Sequence, residues 1–463
     1  MNIRLADIRV ATDASCDLRE RGTLIPSAVQ TDSRKCAPGE IFFCLKGEHF
    51  DGHAYAAQAI AKGAVAVVAE HDLPEAGDTP VLRVDDCIKA LGRLAAWHRA
   101  RTRALVTGVT GTAGKTTVKE LLASILGKAG VVAKNFLNLN NQIGLPLSML
   151  AASGEEDFWV FELGISRPGD MDELGATLTP DIALIINAGA AHLEGLGDVR
   201  GVSENKARLL AHLAAKGLAV VNLDYPELAE AARRLAPDLI GFSCQGRSGR
   251  FEGRYLGPES GGRGRFQVQL AGRSLEFTLP RRGAFVAENC IAAATTACLA
   301  GVDVARLQAG LEGFQDVPLR FQCRNTLHFL VIDDAYNANP LSMAQALISA
   351  RDMAEGRPLL LVLGEMRELG TSAGAAHREL GRQMATVGPV AVFWRGGFAE
   401  QVSEGLAEAG YSGTWSIIGD VAGFLSELTA FEEEGGVIVF KGSRSTRMDE
   451  LSAALIGSTS NAV

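Results

Sequence analysis

Nothing in this sequence is basic enough to hold a nucleic acid, or apolar enough over one run to cross a bilayer. Its 45 Lys and Arg are outnumbered by 54 Asp and Glu, leaving a net charge of -9. A polyanion surface needs clustered positive charge, so any phosphate bound here belongs to a small ligand. No stretch reaches the ~18 apolar residues of a membrane span. Arg4, Asp7 and Arg9 stand where a signal peptide would carry a basic start followed by an apolar run. The eight cysteines (Cys16, Cys36, Cys44, Cys87, Cys244, Cys290, Cys298 and Cys323) are scattered without a CxxC or a Cys/His ligand spacing. Reduced, mostly buried thiols in a cytoplasmic protein are therefore expected. A GxGxxG fingerprint is missing after the first strand-like run of the C-terminal third, so dinucleotide binding is not indicated.

What is present is room for several cores. At 463 residues and 47% hydrophobic content, the chain is long enough for about three domains. Strand-like runs alternate with helix-length segments throughout, which predicts an α/β protein of three units. In the first, Ile41 to Leu45, Val65 to Ala69 and Val81 to Val84 alternate with Ala54 to Lys62 and Ala90 to Arg99, giving a small α/β domain over 1–102. The second, 103–318, has strands at Ala104 to Val109, Phe158 to Leu163, Ile182 to Asn187 and Leu218 to Asn222, predicting a mainly parallel sheet. Its Gly- and Arg-rich stretch Gln245 to Phe266 is expected as an exposed turn beside a hairpin. The third, 319–463, has runs at Phe329 to Ile332, Leu359 to Leu363, Val390 to Phe393 and Val437 to Phe440, and looks like a Rossmann-type unit. Hinges are expected near Arg101 and Pro318.

One segment carries the chemistry. In Val106-Thr-Gly-Val-Thr-Gly-Thr-Ala-Gly-Lys-Thr-Thr117 a glycine-rich turn and a lysine lie between an apolar strand and a helix. Val118, Leu121, Leu122, Ile125 and Leu126 share one face of that helix. The pattern reads as an ATP phosphate cradle. Gly111 and Gly114 let backbone N–H groups turn toward phosphates, Lys115 reaches the β/γ oxygens, and the Thr116 hydroxyl holds Mg²⁺. Val109 stands where the common Walker A spacing has its first glycine, which makes the match to that generic pattern partial.

Other strands of an open parallel sheet end at the same crevice. Glu162, closing Phe-Trp-Val-Phe-Glu, is positioned to bind the Mg²⁺ that bridges two phosphates, or alternatively to cap a helix or pair with a cation. His192 follows another strand, as a further metal ligand or an ordinary loop histidine. Lys206, by its residues alone, is a solvated helix lysine.

Read in order, the motifs are these: Thr31-Asp-Ser-Arg34, Gly39-Glu-Ile-Phe-Phe-Cys-Leu-Lys-Gly47, Phe50-Asp-Gly-His53, Gly111-Thr-Ala-Gly-Lys-Thr-Thr117, Asn138-Leu-Asn-Asn-Gln-Ile-Gly-Leu-Pro146, Glu162-Leu-Gly-Ile-Ser-Arg-Pro-Gly169 and Asn187-Ala-Gly-Ala-Ala-His-Leu-Glu-Gly195. Asp333-Asp-Ala-Tyr-Asn-Ala-Asn-Pro340, Leu363-Gly-Glu-Met-Arg-Glu-Leu-Gly370 with His377, and Lys441-Gly-Ser-Arg444 complete the series. Their order and spacing resemble the Mur ligase family nearly end to end. The two long strings of the last third point to its dipeptide-adding type.

The resemblance implies an ATP- and Mg²⁺-dependent ligase joining D-Ala-D-Ala to UDP-N-acetylmuramoyl-tripeptide, acting as a monomer. It also implies roles. Gly111, Thr112, Ala113, Gly114, Lys115, Thr116 and Thr117 would bind ATP together with Asn289, Arg320 and Asp334. Lys115, Glu162, His192 and Lys206 would be catalytic, with Thr116, Glu162, His192 and a carbamylated Lys206 around the metal. A carbamate suits that place because an ammonium is repelled by Mg²⁺, whereas an anionic oxygen donor is not. Ser33, Arg34, Lys46 and Gly47 would hold the uridine nucleotide, and Asn337, Asn339 and Arg444 the amine donor. Two positions depart from the family pattern: Phe285 and Val286 stand where His-Asn precedes the adenine-contacting asparagine, here Asn289. Ala113 also replaces a side chain that is often polar. Two rivals fit parts of the chain. A folylpolyglutamate-type or other Mur-type ligase would share the last two units but not Thr31-Asp-Ser-Arg34, and a P-loop nucleotide switch would need neither His192 nor Lys206.

Overall fold

Apolar runs bounded by helix-forming segments become parallel strands here, because only a sheet covered on both faces can bury them completely. The structure, a computed structural model, describes residues 2–47, 50–136 and 138–460. Near the N-terminus a four-stranded parallel sheet runs Val29–Gln30, Ile41–Phe43, Ala66–Ala69 and Val81–Arg83. Next comes a six-stranded parallel sheet in the spatial order Ile240–Phe242, Leu218–Asn222, Ile182–Ile185, Leu105–Thr110, Phe158–Glu162, Val132–Lys134. The strand leading into the phosphate loop is therefore central, with Val109 paired to Glu162 and Thr110 to Ile185. A third sheet of six strands places Phe329–Asp334 beside Gly436–Lys441, then Leu359–Gly364, Ala391–Arg395 and Thr414–Ile417. Only its edge strand Gln322–Asn325 is antiparallel. The α/β class and the parallel sheets agree with the alternation in the sequence.

Three short edge strands (29–30, 132–134 and 240–242) lie outside the expected runs, since at 2 or 3 residues each they are too brief to show a period. The stretch Gln245 to Phe266 also differs from expectation. It contains the strand Phe251–Pro258 and the start of Gly264–Leu270, which with Arg273–Leu279 form an antiparallel three-stranded sheet. Phe251, Phe266, Val268 and Phe277 are buried on its inner face, in one apolar cluster with the helix Ala284–Leu299. Arginines on the outer face mask that alternation in the sequence.

The first two sheets share one continuous core. The helix Cys87–Arg99 buries Ala90, Leu91, Leu94 and Ala95 in a cluster that also holds Trp159 and Phe161 of the central sheet. Thr116, at the start of the phosphate-loop helix, is joined by a hydrogen bond to Arg320, which leads into the third sheet. Backbone φ is positive on both sides of this arginine, 59° at Leu319 and 54° at Phe321. Among the described residues no helix is long and apolar enough to cross a membrane. All eight cysteines are free, with Cys36, Cys44, Cys87 and Cys290 buried and the others half-buried.

In the third unit two helices, Ala373–Thr386 and Ala399–Glu408, cross at a pair of glycines. A Cβ on Gly405 would lie 1.9 Å from the Arg378 carbonyl oxygen, and one on Gly381 2.3 Å from that of Val402. Such contact is possible only backbone to backbone. Gly405→Ala is expected to force the helices apart and lower stability by about 1–3 kcal/mol, the scale of overpacking. An unshifted chemical-unfolding midpoint for the variant would show that the crossing relaxes freely.

Candidate active site

The carboxyl edges of the second and third sheets face one cavity of ≈ 320 Å³. Its walls come from residues 112–117, the loop 138–141, the strand end at Glu162, and Arg320, Asp334 and Tyr336 of the third unit. Parallel sheets collect ligands at that edge because every strand releases its loop there.

The phosphate loop is held from below. Thr112 and Ala113 both donate backbone N–H groups to Asn187 Oδ1, each at 2.9 Å, and Thr112 N also reaches the Asn187 carbonyl at 3.2 Å. These two N–H groups therefore point inward rather than into the cavity. The first hydrogen bond of the following helix, Lys115–Leu126, is Val118 N to Gly114 O. The N–H groups of residues 115–117 precede the ladder and emerge at the helix's positive end, which is where an anion is best received. Gly114 has φ +80°, and a Cβ there would fall 2.4 Å from Asn289 Oδ1. Asn289 thus packs on the loop itself.

Above the loop lies a compact polar cluster. Thr116 donates its hydroxyl to Glu162 Oε2 at 2.7 Å and accepts from Arg320 Nη2 at 3.2 Å. Asn140 donates to Glu162 Oε1 at 2.5 Å, and Asn135 accepts from the Glu162 backbone at 2.7 Å. The Arg320 guanidinium lies 3.6 Å above the Tyr336 ring centre. Lys115 folds back to the Gly111 carbonyl at 3.0 Å. Burial pulls the pKa of Lys115 down, with Glu162 opposing and Arg320 adding to the shift. Burial likewise lowers that of Arg320.

The third sheet adds a charged pair. Asp334 and Lys441 are register partners on neighbouring strands, and Lys441 Nζ lies 2.6 Å from Asp334 Oδ2. The same ammonium donates to the Asn337 carbonyl at 3.0 Å, while Asp334 Oδ1 accepts from Phe321 N at 3.0 Å. Asp334 thereby fixes the turn that carries Arg320.

The remaining expected residues are distributed unevenly. His192 lines the cavity with its φ at 54°, and its Nδ1 lies against the Glu368 carboxylate without hydrogen-bond alignment. Lys206 is fully buried beneath the loop and donates to the same Gly111 carbonyl as Lys115, at 3.0 Å. Burial, and then Lys115, pull its pKa well below the ordinary lysine value. Asn337 and Asn339 both line the cavity. The Asn339 oxygen caps the helix Pro340–Ala354 by accepting from Ser342 N at 2.9 Å, and its amide reaches the Thr112 carbonyl at 3.3 Å. Arg444 lies outside the cavity, 62% exposed and paired with Asp449 at 2.8 Å. Ser33, Arg34, Lys46 and Gly47 are also elsewhere, on the first sheet's side of the molecule. There Ser33 donates to Gln58 at 2.7 Å, Arg34 forms a fork with Asp32 at 2.9 Å, the Lys46 backbone pairs with that of Asp51 in an isolated antiparallel bridge, and Gly47 N donates to the Phe50 carbonyl at 2.8 Å.

Three family models match successive parts of the chain: "Mur ligase family, catalytic domain" over 27–99, "Mur ligase middle domain" over 109–297, and "Mur ligase, glutamate ligase domain" over 319–444. The UDP-N-acetylmuramoyl-tripeptide--D-alanyl-D-alanine ligase of Escherichia coli strain K12 is 34% identical over 432 residues, covering 92% of this chain and 93% of that protein. The chain belongs to the Mur ligase family. Among solved structures, MurF from Acinetobacter baumannii superposes with a TM-score of 0.86 at 29% identity, covering 98% of this Mur ligase and 99% of that chain. MurF ligase from Thermotoga maritima in complex with ADP gives 0.84 at 26%, covering 94% and 98%.

The parts that hold the site of this Mur ligase in shape leave little mark in its sequence. Asn187, Asn140 and Asn135 lie within or near quoted motifs yet receive no role, because a lone asparagine in a loop has no distinguishing spacing. Lys441 is likewise unassigned, though its position at the end of an all-apolar strand is a signal that a charge is buried there. Lys441 is 2% exposed. Removing one partner of such a pair strands the other charge, so Lys441→Met should cost about 3–5 kcal/mol. Denaturant unfolding followed by the fluorescence of Trp394 and Trp415, both in the third sheet, measures it. A midpoint equal to the parent's would show that the pair contributes nothing net.

Proposed function

We propose that this chain is an ATP-dependent amide ligase joining D-Ala-D-Ala to the peptide of UDP-N-acetylmuramoyl-tripeptide, which completes the pentapeptide precursor of peptidoglycan. The observation that carries this reading is similarity over nearly the whole chain to ligases of that name, including the first unit, which a folate-type ligase would lack. A nucleotide switch is disfavoured by the third sheet, whose edge closes the cavity over the phosphate loop.

A carboxylate does not react with an amine at neutral pH, so the tripeptide terminus must first be activated. In the proposed mechanism its oxygen attacks the γ-phosphorus of ATP, ADP departs, and an acyl phosphate forms. The dipeptide amine then adds to the acyl carbon, and the tetrahedral intermediate collapses with loss of phosphate. Lys115 and Arg320 stabilise the charge that builds on the transferred group, and the N–H groups of 115–117 hold the phosphates. The Thr116 hydroxyl and the Glu162 carboxylate, adjacent oxygen donors at the loop, suit a hard cation such as Mg²⁺, which when bound would neutralise the triphosphate oxygens. His192 and a carbamylated Lys206 belong to the same reading. Support for the latter is a fully buried amine beneath the phosphate loop, where burial lowers its pKa and so favours the uncharged form that reacts with CO₂. Residues 1–102 would grip the uridine end, 103–318 ATP, and 319–463 the amine, with Asn337, Asn339 and Arg444 on the donor side. Closure of three such units excludes water from the acyl phosphate. The protein is read as a cytoplasmic monomer, in keeping with free thiols throughout.

Two measurements test this. D-Ala-D-Ala should support ADP release in the presence of the tripeptide substrate, whereas D-Ala, L-Glu and diaminopimelate should not, and ¹⁸O from the tripeptide carboxylate should appear in phosphate. Turnover with a single amino acid, or unlabelled phosphate, would overturn the assignment. Independently, ¹³C-bicarbonate should give a carbamate carbon resonance that Lys206→Arg abolishes. A resonance that survives the substitution, or is absent from active enzyme, would remove Lys206 from the metal's surroundings.

A further inference from the structure

Asn187 can hold the phosphate loop only if its amide is the right way round. Its Oδ1 accepts both loop N–H groups, so its Nδ2 must face a group that accepts. That group is Glu288, whose Oε1 accepts from Asn187 Nδ2 at 2.7 Å. Its other oxygen, Oε2, accepts from the Tyr225 hydroxyl at 2.9 Å. Glu288 lies on the helix Ala284–Leu299 between buried Ala287 and Asn289, and is itself 8% exposed. A carboxylate in such surroundings is costly, and an apolar residue would pack there more cheaply. Burial pushes the Glu288 carboxyl up to about 7, with Asp224 adding to the rise and the hydrogen bonds from Asn187 and Tyr225 opposing it.

We propose that Glu288, braced by Tyr225, is a positioning residue for ATP: it fixes the amide orientation of Asn187, which in turn fixes the phosphate-loop peptides at Thr112 and Ala113. The next residue, Asn289, touches the loop from the same helix at Gly114. One helix thus sets the loop from two directions, once directly and once through Asn187. Rotated by half a turn, the Asn187 amide would present N–H to N–H, and the loop would lose both side-chain anchors, keeping only the longer bond from Thr112 N to the Asn187 backbone carbonyl.

The inference rests on reading the cavity as the nucleotide site, which ADP release by the parent enzyme tests separately. Three variants test the inference itself: Glu288→Gln, Glu288→Leu and Tyr225→Phe. Glu288→Leu should raise KM for ATP at least about tenfold, the scale of two anchoring hydrogen bonds loosened, and leave KM for the peptide and for the dipeptide within about twofold. Glu288→Gln keeps an accepting oxygen toward Asn187 and should stay within about threefold of the parent in KM for ATP. In ligand-free protein, amide hydrogen exchange at Thr112 and Ala113 should quicken in Glu288→Leu and in Tyr225→Phe. If Glu288→Leu does not fold, the exchange measurement on Tyr225→Phe decides alone. An unchanged exchange rate there, an unchanged KM for ATP in folded Glu288→Leu, or an equal rise in all three KM values would overturn the proposal.

Discussion

Three nitrogen donors, Lys115, Lys206 and Arg320, gather around the phosphate loop beside the Glu162 carboxylate, with Asp334 already paired to Lys441. The pKa values of all three are pulled down by burial. Such a cluster persists because each group has a carbonyl or hydroxyl to donate to: Gly111 for the two lysines and Thr116 for the arginine. Hydrogen bonds satisfy the donors but leave the charge in place. The excess is met only by an anion, and a triphosphate at a helix N-terminus supplies one. The rest of the architecture, two parallel sheets facing each other edge on, can be understood as the means of bringing those groups to one place.

The contribution of the second sheet is register. Because Val109 pairs with Glu162, the phosphate loop and the carboxylate leave adjacent strands at the same height, and a hydroxyl one residue into the helix can reach across. The third sheet repeats the device with Asp334 and Lys441. A one-residue slip in either pair would turn a polar side chain from the cavity into the opposite face. The polar ends of otherwise apolar strands therefore carry information in both sheets, and buried aliphatic neighbours keep the alignment.

The central strands were legible in the sequence because burial on both faces demands unbroken apolar runs, as in Ile182 to Ile185 or Leu359 to Leu363. Three of the edge strands, 29–30, 132–134 and 240–242, were not, being two or three residues long. The loop from Gly111 to Gly114 and the strand-end Glu162 could be read because phosphate chemistry restricts both residue type and place. Lys206 shows the opposite case: from its residues it looked solvated, whereas the structure buries it beneath the loop, and only long-range packing of the helix Val199–Ala207 puts it there. The asparagines that orient the site stayed silent for a related reason. Their role depends on which amide atom faces which neighbour, a property of three-dimensional contact with no period along the chain.

The paired left-handed residues around Arg320 have a consequence for variation at this joint. Leu319 and Phe321 each hold a conformation that costs a non-glycine residue on the order of 1 kcal/mol. Glycine at Phe321 would relieve that cost but forfeit a larger one, the burial of a ring that packs on Phe285 in the core of the third unit, and would widen the range of directions in which the guanidinium points in the absence of nucleotide. The bulky side chains here recover through burial what the backbone gives up, and leave an arm whose aim is set in advance, so that little ordering remains to be done when the triphosphate arrives. Selection for thermostability and selection for a firm grip on nucleotide therefore pull the same way at this joint, and both keep the bulky pair.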